Sequence, residues 1–195
     1  LPAGATGVST NAMLARQAAR AHEIAKSTCL VMSGARSDFH REAVLDATAA
    51  FEAEMTALVA EGGMPERLAL LKDVAKETAG LTVSARQVVM GDYHAVPIAL
   101  VVGRDAALAN DLWRGRTMEG PQGAGAEIAA AILTLQQQRA RVQTLLRDMC
   151  YRRLQLGPEG LADRLAAEMA TFIAVNDQLI VGDPGAGLPK APTIQ

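Results

Sequence analysis

Two stretches of this sequence match each other without a gap, and this repeat constrains the fold more than any other feature. Residues 14–58 align with residues 135–179 at a constant offset of 121 positions, and both copies run into a glycine-rich break. The matched pairs include residue types that are rare in this chain: Leu14/Leu135, Gln17/Gln138, Ala19-Arg20/Ala140-Arg141, Cys29/Cys150, Phe51/Phe172 and Leu58/Leu179. We therefore expect the two stretches to fold as the same unit.

The amino-acid composition and the positions of glycine and proline predict an all-α helical bundle. Alanine and leucine account for 38 and 22 of the 195 residues, whereas Phe, Tyr and Trp together account for six. Because Ala and Leu favour helices while strands favour aromatic and β-branched residues, an all-β fold is excluded. Glycine and proline divide the chain into six segments with apolar residues every three or four positions. The predicted helices are 9–33, 37–61, 66–90, a fourth ending at 118, 127–156 and 158–181; Gly80 and Gly103 are candidates for a bend and an interruption.

The repeat also predicts the domain organisation. Residues 1–120 form a four-helix unit, 121–126 a Gly/Pro linker, 127–181 a second, partial repeat folded as a helical hairpin, and 182–195 an extended tail. Half a bundle leaves an apolar stripe uncovered, which favours a homodimer. The net charge of −2 gives no case for binding nucleic acid. The longest uncharged apolar run, 95–103, is too short to cross a bilayer.

The opening helix of each repeat carries a family resemblance. Residues 15–26, ARQAARAHEIAK, resemble the first helix of the PilJ-type sensor domain, whose pattern runs roughly G-R-Q-R-M-L-S-Q-R-M-A-K. Residues 136–147, QQQRARVQTLLR, match that pattern at least as well. This domain is the N-terminal module of type IV pilus chemotaxis transducers and is related to nitrate and nitrite sensors of the NarX type. The resemblance covers most of the chain.

The resemblance implies a non-catalytic sensor module for signal transduction. It implies a periplasmic location after signal-peptide removal, a membrane-bound signalling partner and no cofactor. In NarX-like sensors, one arginine from each of two facing helices binds a nitrate; the matching positions here are Ala18 and Arg139. Because Ala18 carries no charge, the sequence departs from that symmetric site. If the two repeated helices pack against each other, we expect their arginines to form a small-anion site instead: Arg139, Arg141, Arg16 and Arg20. The alternative is that these arginines are solvated and pair with nearby carboxylates.

The two cysteines occupy equivalent positions in the repeats. Cys29 and Cys150 are candidates for a disulfide if the two first helices pack together, and buried free thiols are the alternative. A metal site of Cys29 with His22 has little support, because Cys-x-x-Cys and His-Glu-x-x-His spacings are absent. We expect His22 to be exposed or half-buried.

No motif in the sequence indicates an enzyme. A Gly-x-Ser-x-Gly elbow and a P-loop are both absent. The leading prediction is therefore an extracytoplasmic module that binds a small oxyanion such as nitrate or nitrite. The competing prediction is a structural or protein-interaction bundle that binds no small ligand. The N-terminal residues 1–5 suit either the trimmed end of an exported protein or a cut within a longer chain.

Overall fold

The protein is all-α, as the sequence predicts. A computed structural model describes residues 10–118, 126–183, 185 and 188. It contains six helices: α1 (Thr10–Met32), α2 (Ser37–Glu61), α3 (Pro65–Val89), α4 (Ala95–Thr117), α5 (Ala126–Leu154) and α6 (Leu161–Val181). Nearly all of the predicted linker, and all of the tail except residues 182, 183, 185 and 188, lie outside the described residues. None of the described helices combines the length and apolar content that crossing a membrane requires.

Helices α1–α4 form a four-helix bundle, and α5–α6 is a hairpin attached to one side of it. In the bundle α1 packs on α2 and α4, and α3 packs on α2 and α4, so that the ring closes. The interior is filled by large side chains such as Leu14, Phe51, Leu71 and Leu112, none of which is accessible to solvent. Helix α5 packs against α1, and its residues Cys150 and Tyr151 belong to the same buried cluster. Of the other five helices, α5 is the main neighbour of α6.

Small side chains allow α1 to be buried from two sides at once. Ala18, Ala21 and Ala25 contribute to the core of the bundle, while Ala15 and Ala19 face α5. Because alanine has no atoms beyond Cβ, helices packed on it can approach closely. Helix α1 is therefore the centre of the molecule rather than one of its edges.

Most helix ends follow the sequence signals, with three local differences. Pro65 begins α3 as expected, because the first helical residue has no hydrogen-bond partner for its N–H. Helix α3 runs unbroken through Gly80, and α4 through Gly103. A Cβ at Gly80 would stand 3.6 Å from Arg104 of α4, an ordinary van der Waals contact. Helix α6 begins at residue 161 rather than 158, because Gly160 adopts a left-handed conformation (φ 74°).

The two hairpins share the same side-chain hydrogen bonds, as expected of a duplication. The side-chain amide of Gln17 donates to the carbonyl oxygen of Phe51 at 2.9 Å, and Gln138 donates to that of Phe172 at 2.9 Å. The glutamine oxygens accept from the arginines three residues further on. Arg20 donates to Gln17 at 2.9 Å and Arg141 to Gln138 at 2.7 Å. Each glutamine thus fastens the first helix of its repeat to the second.

A disulfide joins the two repeats. Cys29 of α1 and Cys150 of α5 are bonded, with their Cα atoms 6.1 Å apart. Ala12–Ala19 lie opposite residues 136–139 further along the same pair of helices. Low-numbered residues therefore face low-numbered residues, and α1 and α5 run parallel to each other.

Replacing both cysteines by alanine should destabilise the protein strongly. The bond closes a loop of 121 residues, and the chain-entropy model gives about 4–5 kcal/mol for a loop of that size. Urea denaturation of the oxidised wild type and of the double variant C29A/C150A measures the difference. Equal unfolding free energies, or two free thiols in the native protein by mass spectrometry, would contradict the disulfide.

Candidate anion-binding site

A cleft of about 110 Å³ lies between the first helices of the two repeats. Helix α1 contributes Ala12, Ala15, Arg16 and Ala19, and α5 contributes Gln136 and Arg139. The three alanines make the space, since any larger side chain on this face of α1 would fill it. The volume accommodates a few water molecules or one small ion. The remaining side chains supply hydrogen-bond donors to whatever occupies the cleft.

The structure separates the four predicted arginines into two pairs. Arg139 and Arg16 line the cleft, whereas Arg20 and Arg141 do not. Arg141 lies 3.1 Å from Glu168 of α6, so that it stabilises the second hairpin. Arg20 also contacts a carboxylate of its own hairpin, 2.9 Å from Glu54 of α2, although Glu54 and Glu168 are not equivalent positions.

The two arginines in the cleft differ in how their charge is compensated. Arg16 makes two contacts of 3.1 Å with the Glu54 carboxylate, through Nε and Nη2. Arg20 shares that carboxylate, so this group of three residues keeps one net positive charge. Arg139 is exposed, and among the described residues no carboxylate lies within ion-pairing distance of it. Arg139 is thus the guanidinium in the cleft that has its donors available.

A lysine nearby is influenced by the charge of Arg139. The pKa of Lys26 is lowered, first because the side chain is half-buried; Glu23 raises it and Arg139 lowers it further. The positive potential of Arg139 therefore extends along α1 towards Lys26. An anion at the cleft would relieve this repulsion between like charges.

A second polar feature, the buried charge cluster, connects α1, α4 and α5. It consists of His22, Asp105, Arg147 and Asp148, with Tyr151 beside them. His22 Nδ1 lies 2.8 Å from Asp105 Oδ2 and 3.0 Å from Arg147 Nη1. Arg147 also donates to Asp105 and, at 2.7 Å through Nε, to Asp148. The expectation that His22 is exposed or half-buried is wrong, because the fit of α5 against α1 and α4 leaves it 9% exposed.

Ionisation in the buried charge cluster is set by burial and by the two carboxylates. Burial lowers the pKa of Arg147, but Asp105 and Asp148 raise it by more, so that the net shift is upward. Burial raises the pKa of Tyr151 well above its usual value, and Asp105 adds to that effect. Tyr151 is therefore a neutral phenol and Arg147 a permanent cation at neutral pH. The cluster positions α5 against the bundle.

Sequence reasoning missed Asp105, Arg147, Asp148 and Tyr151, although one signal was available for the first of them. Val101, Leu108 and Leu112 are buried on one stripe of α4, and Asp105 falls on the same stripe at helical spacing. A charge on a buried stripe requires a partner. The partner, Arg147, is 42 residues away in the second repeat, whereas Asp105 lies in neither repeat, so only the fold identifies the pair.

No metal site emerges from the residues that the structure describes. Among them, no group of three or more His, Cys, Asp or Glu side chains is arranged to hold an ion. The weakly supported pair of Cys29 and His22 is not formed, because Cys29 is in the disulfide and His22 contacts Asp105.

A larger cleft between α2 and α3, of about 330 Å³, is a weaker candidate site. Its charged lining residue is Glu52, whose carboxylate already accepts 2.6 Å bonds from Arg86 and Thr82. The hydrogen bond from Arg86 is the main reason that the pKa of Glu52 is lowered. The groups that would bind a ligand there are thus already paired.

Comparison with protein-family models, curated proteins and solved structures finds no match to this chain. What the structure defines is a class: an all-α helical bundle.

Breaking the buried charge cluster should cost more stability than breaking an exposed ion pair on the same helix. Asp105→Ala leaves Arg147 buried with one counter-ion fewer, and we expect a loss of about 3 kcal/mol. Asp111→Ala is the matched control, because Asp111 pairs with Arg114 in solvent and should cost under about 1 kcal/mol. Urea denaturation measures both variants. The double variant D105L/R147M should recover part of the loss, and a loss equal to that of D111A would show that the cluster is not buried.

Proposed function

We propose that this protein is a non-catalytic module that binds a small planar oxyanion, such as nitrate or nitrite, between α1 and α5. It would act as an extracytoplasmic sensor of the kind that the PilJ and NarX resemblance implies. The observation that carries the proposal is Arg139, a guanidinium in the cleft between the repeats without a carboxylate partner among the described residues.

The chemistry of the cleft suits a planar anion. A guanidinium group donates parallel hydrogen bonds in one plane, which matches the oxygens of a planar oxyanion. Arg139 and the Arg16–Glu54–Arg20 group each contribute a net positive charge near the cleft. The alanines of α1 leave a space sized for an ion rather than a metabolite.

The cleft departs from the symmetric arrangement of the NarX-like sensors. Arg139 occupies the position of the anion-binding arginine in the second repeat, but Ala18, its counterpart, is fully buried in the bundle core. We propose that Arg16, two residues earlier on α1, supplies the second guanidinium. The Nη2 and Nε bonds to Glu54 hold that side chain at the edge of the cleft.

The position of the cleft suggests how binding would be transmitted. Cys29 and Cys150 fasten α1 to α5 about 20 Å along the helices from Arg16, at a rise of about 1.5 Å per residue. An anion held by both helices would draw them together at the other end. A membrane-bound signalling partner that contacts both repeats would sense this change. The disulfide also supports an extracytoplasmic location, because such bonds persist in oxidising compartments.

A second candidate function is favoured by one observation. Several large apolar side chains of the α5–α6 hairpin are exposed, including Leu135 and Ile173. This is typical of a surface that binds another protein. An interaction bundle without a small ligand is therefore the alternative, and the experiment below separates the two functions.

Nitrate or nitrite should raise the melting temperature of the oxidised protein relative to chloride at equal ionic strength. A ligand at 100 times its dissociation constant adds about 2.7 kcal/mol of stability. We expect Arg139→Ala to abolish the shift, because it removes the available guanidinium. Differential scanning fluorimetry followed by isothermal titration calorimetry provides the measurement, with other small anions in the same panel.

Arg153→Ala is the matched control, since it removes an exposed arginine from the end of α5 that lies beyond the disulfide. This variant should bind as the wild type does. A response that survives in Arg139→Ala would refute the site, and a panel without any response would favour the interaction bundle.

A further inference from the structure

The two repeats bury their equivalent faces to very different extents. On α1, Leu14, Ala25 and Thr28 are completely buried in the four-helix bundle. Their equivalents on α5 are Leu135, Leu146 and Met149, which are 57%, 45% and 55% exposed. The face that forms a core in the first repeat is therefore on the surface in the second.

The second helix of the hairpin continues this exposed surface. Met169 and Ile173 of α6 are 42% and 54% exposed, whereas Thr48, the equivalent of Met169, is fully buried. Phe172 is half-buried, although its equivalent Phe51 has no accessible surface. We call this surface the hairpin face and define it by six residues: Ile132, Leu135, Leu146, Met149, Met169 and Ile173.

The first repeat shows what kind of structure covers such a face. There, the hairpin α1–α2 is covered by another antiparallel hairpin, α3–α4, and each helix has a neighbour on both sides. Within the described part of the chain, α5–α6 has no equivalent of α3–α4. The exposed face of α5–α6 would therefore be covered best by another helical hairpin that exposes an apolar face of its own.

We propose that the hairpin face binds the hairpin face of a second copy of this chain. The two α5–α6 hairpins would then form a four-helix bundle with the same cyclic order as α1–α4. Helix α5 of one copy would lie beside α6 of the other, and the two-fold symmetry would make both of these contacts identical.

The charges of the two helices favour this pairing over one that places like helices side by side. Helix α5 carries five arginines against one aspartate and one glutamate. Helix α6 carries two aspartates and one glutamate against one arginine. Arg147 is held in the buried charge cluster, and Arg141 pairs with Glu168 of its own hairpin. The exposed charges that remain include Arg152 and Arg153 on α5 and Asp163 and Asp177 on α6, which favours placing α5 beside the partner's α6.

The size of the hairpin is sufficient for a stable dimer. The 21 residues of α6 span about 30 Å, and two packed helices are about 20 Å wide. The contact would cover on the order of 600 Å² on each copy, or about 1,200 Å² in total, which is the lower end of the standard range for specific interfaces. Large aliphatic side chains predominate on the hairpin face, and Arg139, the equivalent of the buried Ala18, lies on the same stripe of α5 between Leu135 and Leu146.

The experiment measures the mass of the oxidised protein by light scattering and sedimentation across a range of concentrations. We expect twice the 20.5 kDa of one chain at high micromolar concentration. Leu146→Glu should shift the protein to the monomer, because it would place carboxylates in the centre of the interface. Ile173→Glu tests the same interface from α6, so the result does not depend on one variant.

Val83→Glu is the matched control for these variants. Val83 lies in the C-terminal third of α3 and is 46% exposed, which is nearly the same as Leu146, but it is outside the hairpin face. This variant should remain a dimer, and circular dichroism should show the helical content of all three variants unchanged. A wild-type protein that is monomeric at every concentration would overturn the proposal, as would a dimer that survives both hairpin substitutions.

Discussion

The close packing of α1 against α5 is the contact on which the rest of the structure depends. It unites the two repeats, creates the cleft, and brings the cysteines to bonding distance. It also buries His22, Asp105 and Arg147 together, because each of these residues comes from a different helix that meets at this contact. This packing requires only that α1 carry alanine both on the side that faces the bundle and on the side that faces α5.

The contact contains two kinds of interaction with different consequences. The alanine packing and the disulfide stabilise the contact but do not specify which charged side chains meet within it. The buried charge cluster is directional, since Arg147 must meet Asp105 on α4 and Asp148 on its own helix. Buried ion pairs are weak sources of stability compared with apolar packing, but they discriminate against wrong arrangements when one partner would be left alone. We attribute the rotational setting of α5 on the bundle to this cluster.

The sequence was sufficient for the helices but not for the partners of the charged side chains. Glycines, prolines and a three-to-four spacing define six helices because backbone preferences are local. The repeat placed Cys29 and Cys150 at equivalent positions, yet spacing alone could not decide between a disulfide and buried free thiols. For the arginines, the sequence named four candidates, and the structure places Arg16 and Arg139 at the cleft but Arg20 and Arg141 against their own hairpins. That division depends on the side of a helix to which a long side chain turns, which follows from the tertiary packing.

The disulfide also locates the axis of the duplication. Two equivalent residues can touch only where the operation that relates the repeats brings them together, so that the pseudo-two-fold axis passes close to the bond between Cys29 and Cys150. Since α1 and α5 are parallel, this axis runs along the seam between them and through the cleft. In a dimer of identical chains, the two sides of such a seam must carry the same residues. Here one chain provides both sides, and equivalent positions have diverged: Ala18 corresponds to Arg139, and Arg16 corresponds to Gln137. Because both copies are encoded in a single chain, the seam does not have to be symmetric, and a substitution on one side leaves the other side unchanged.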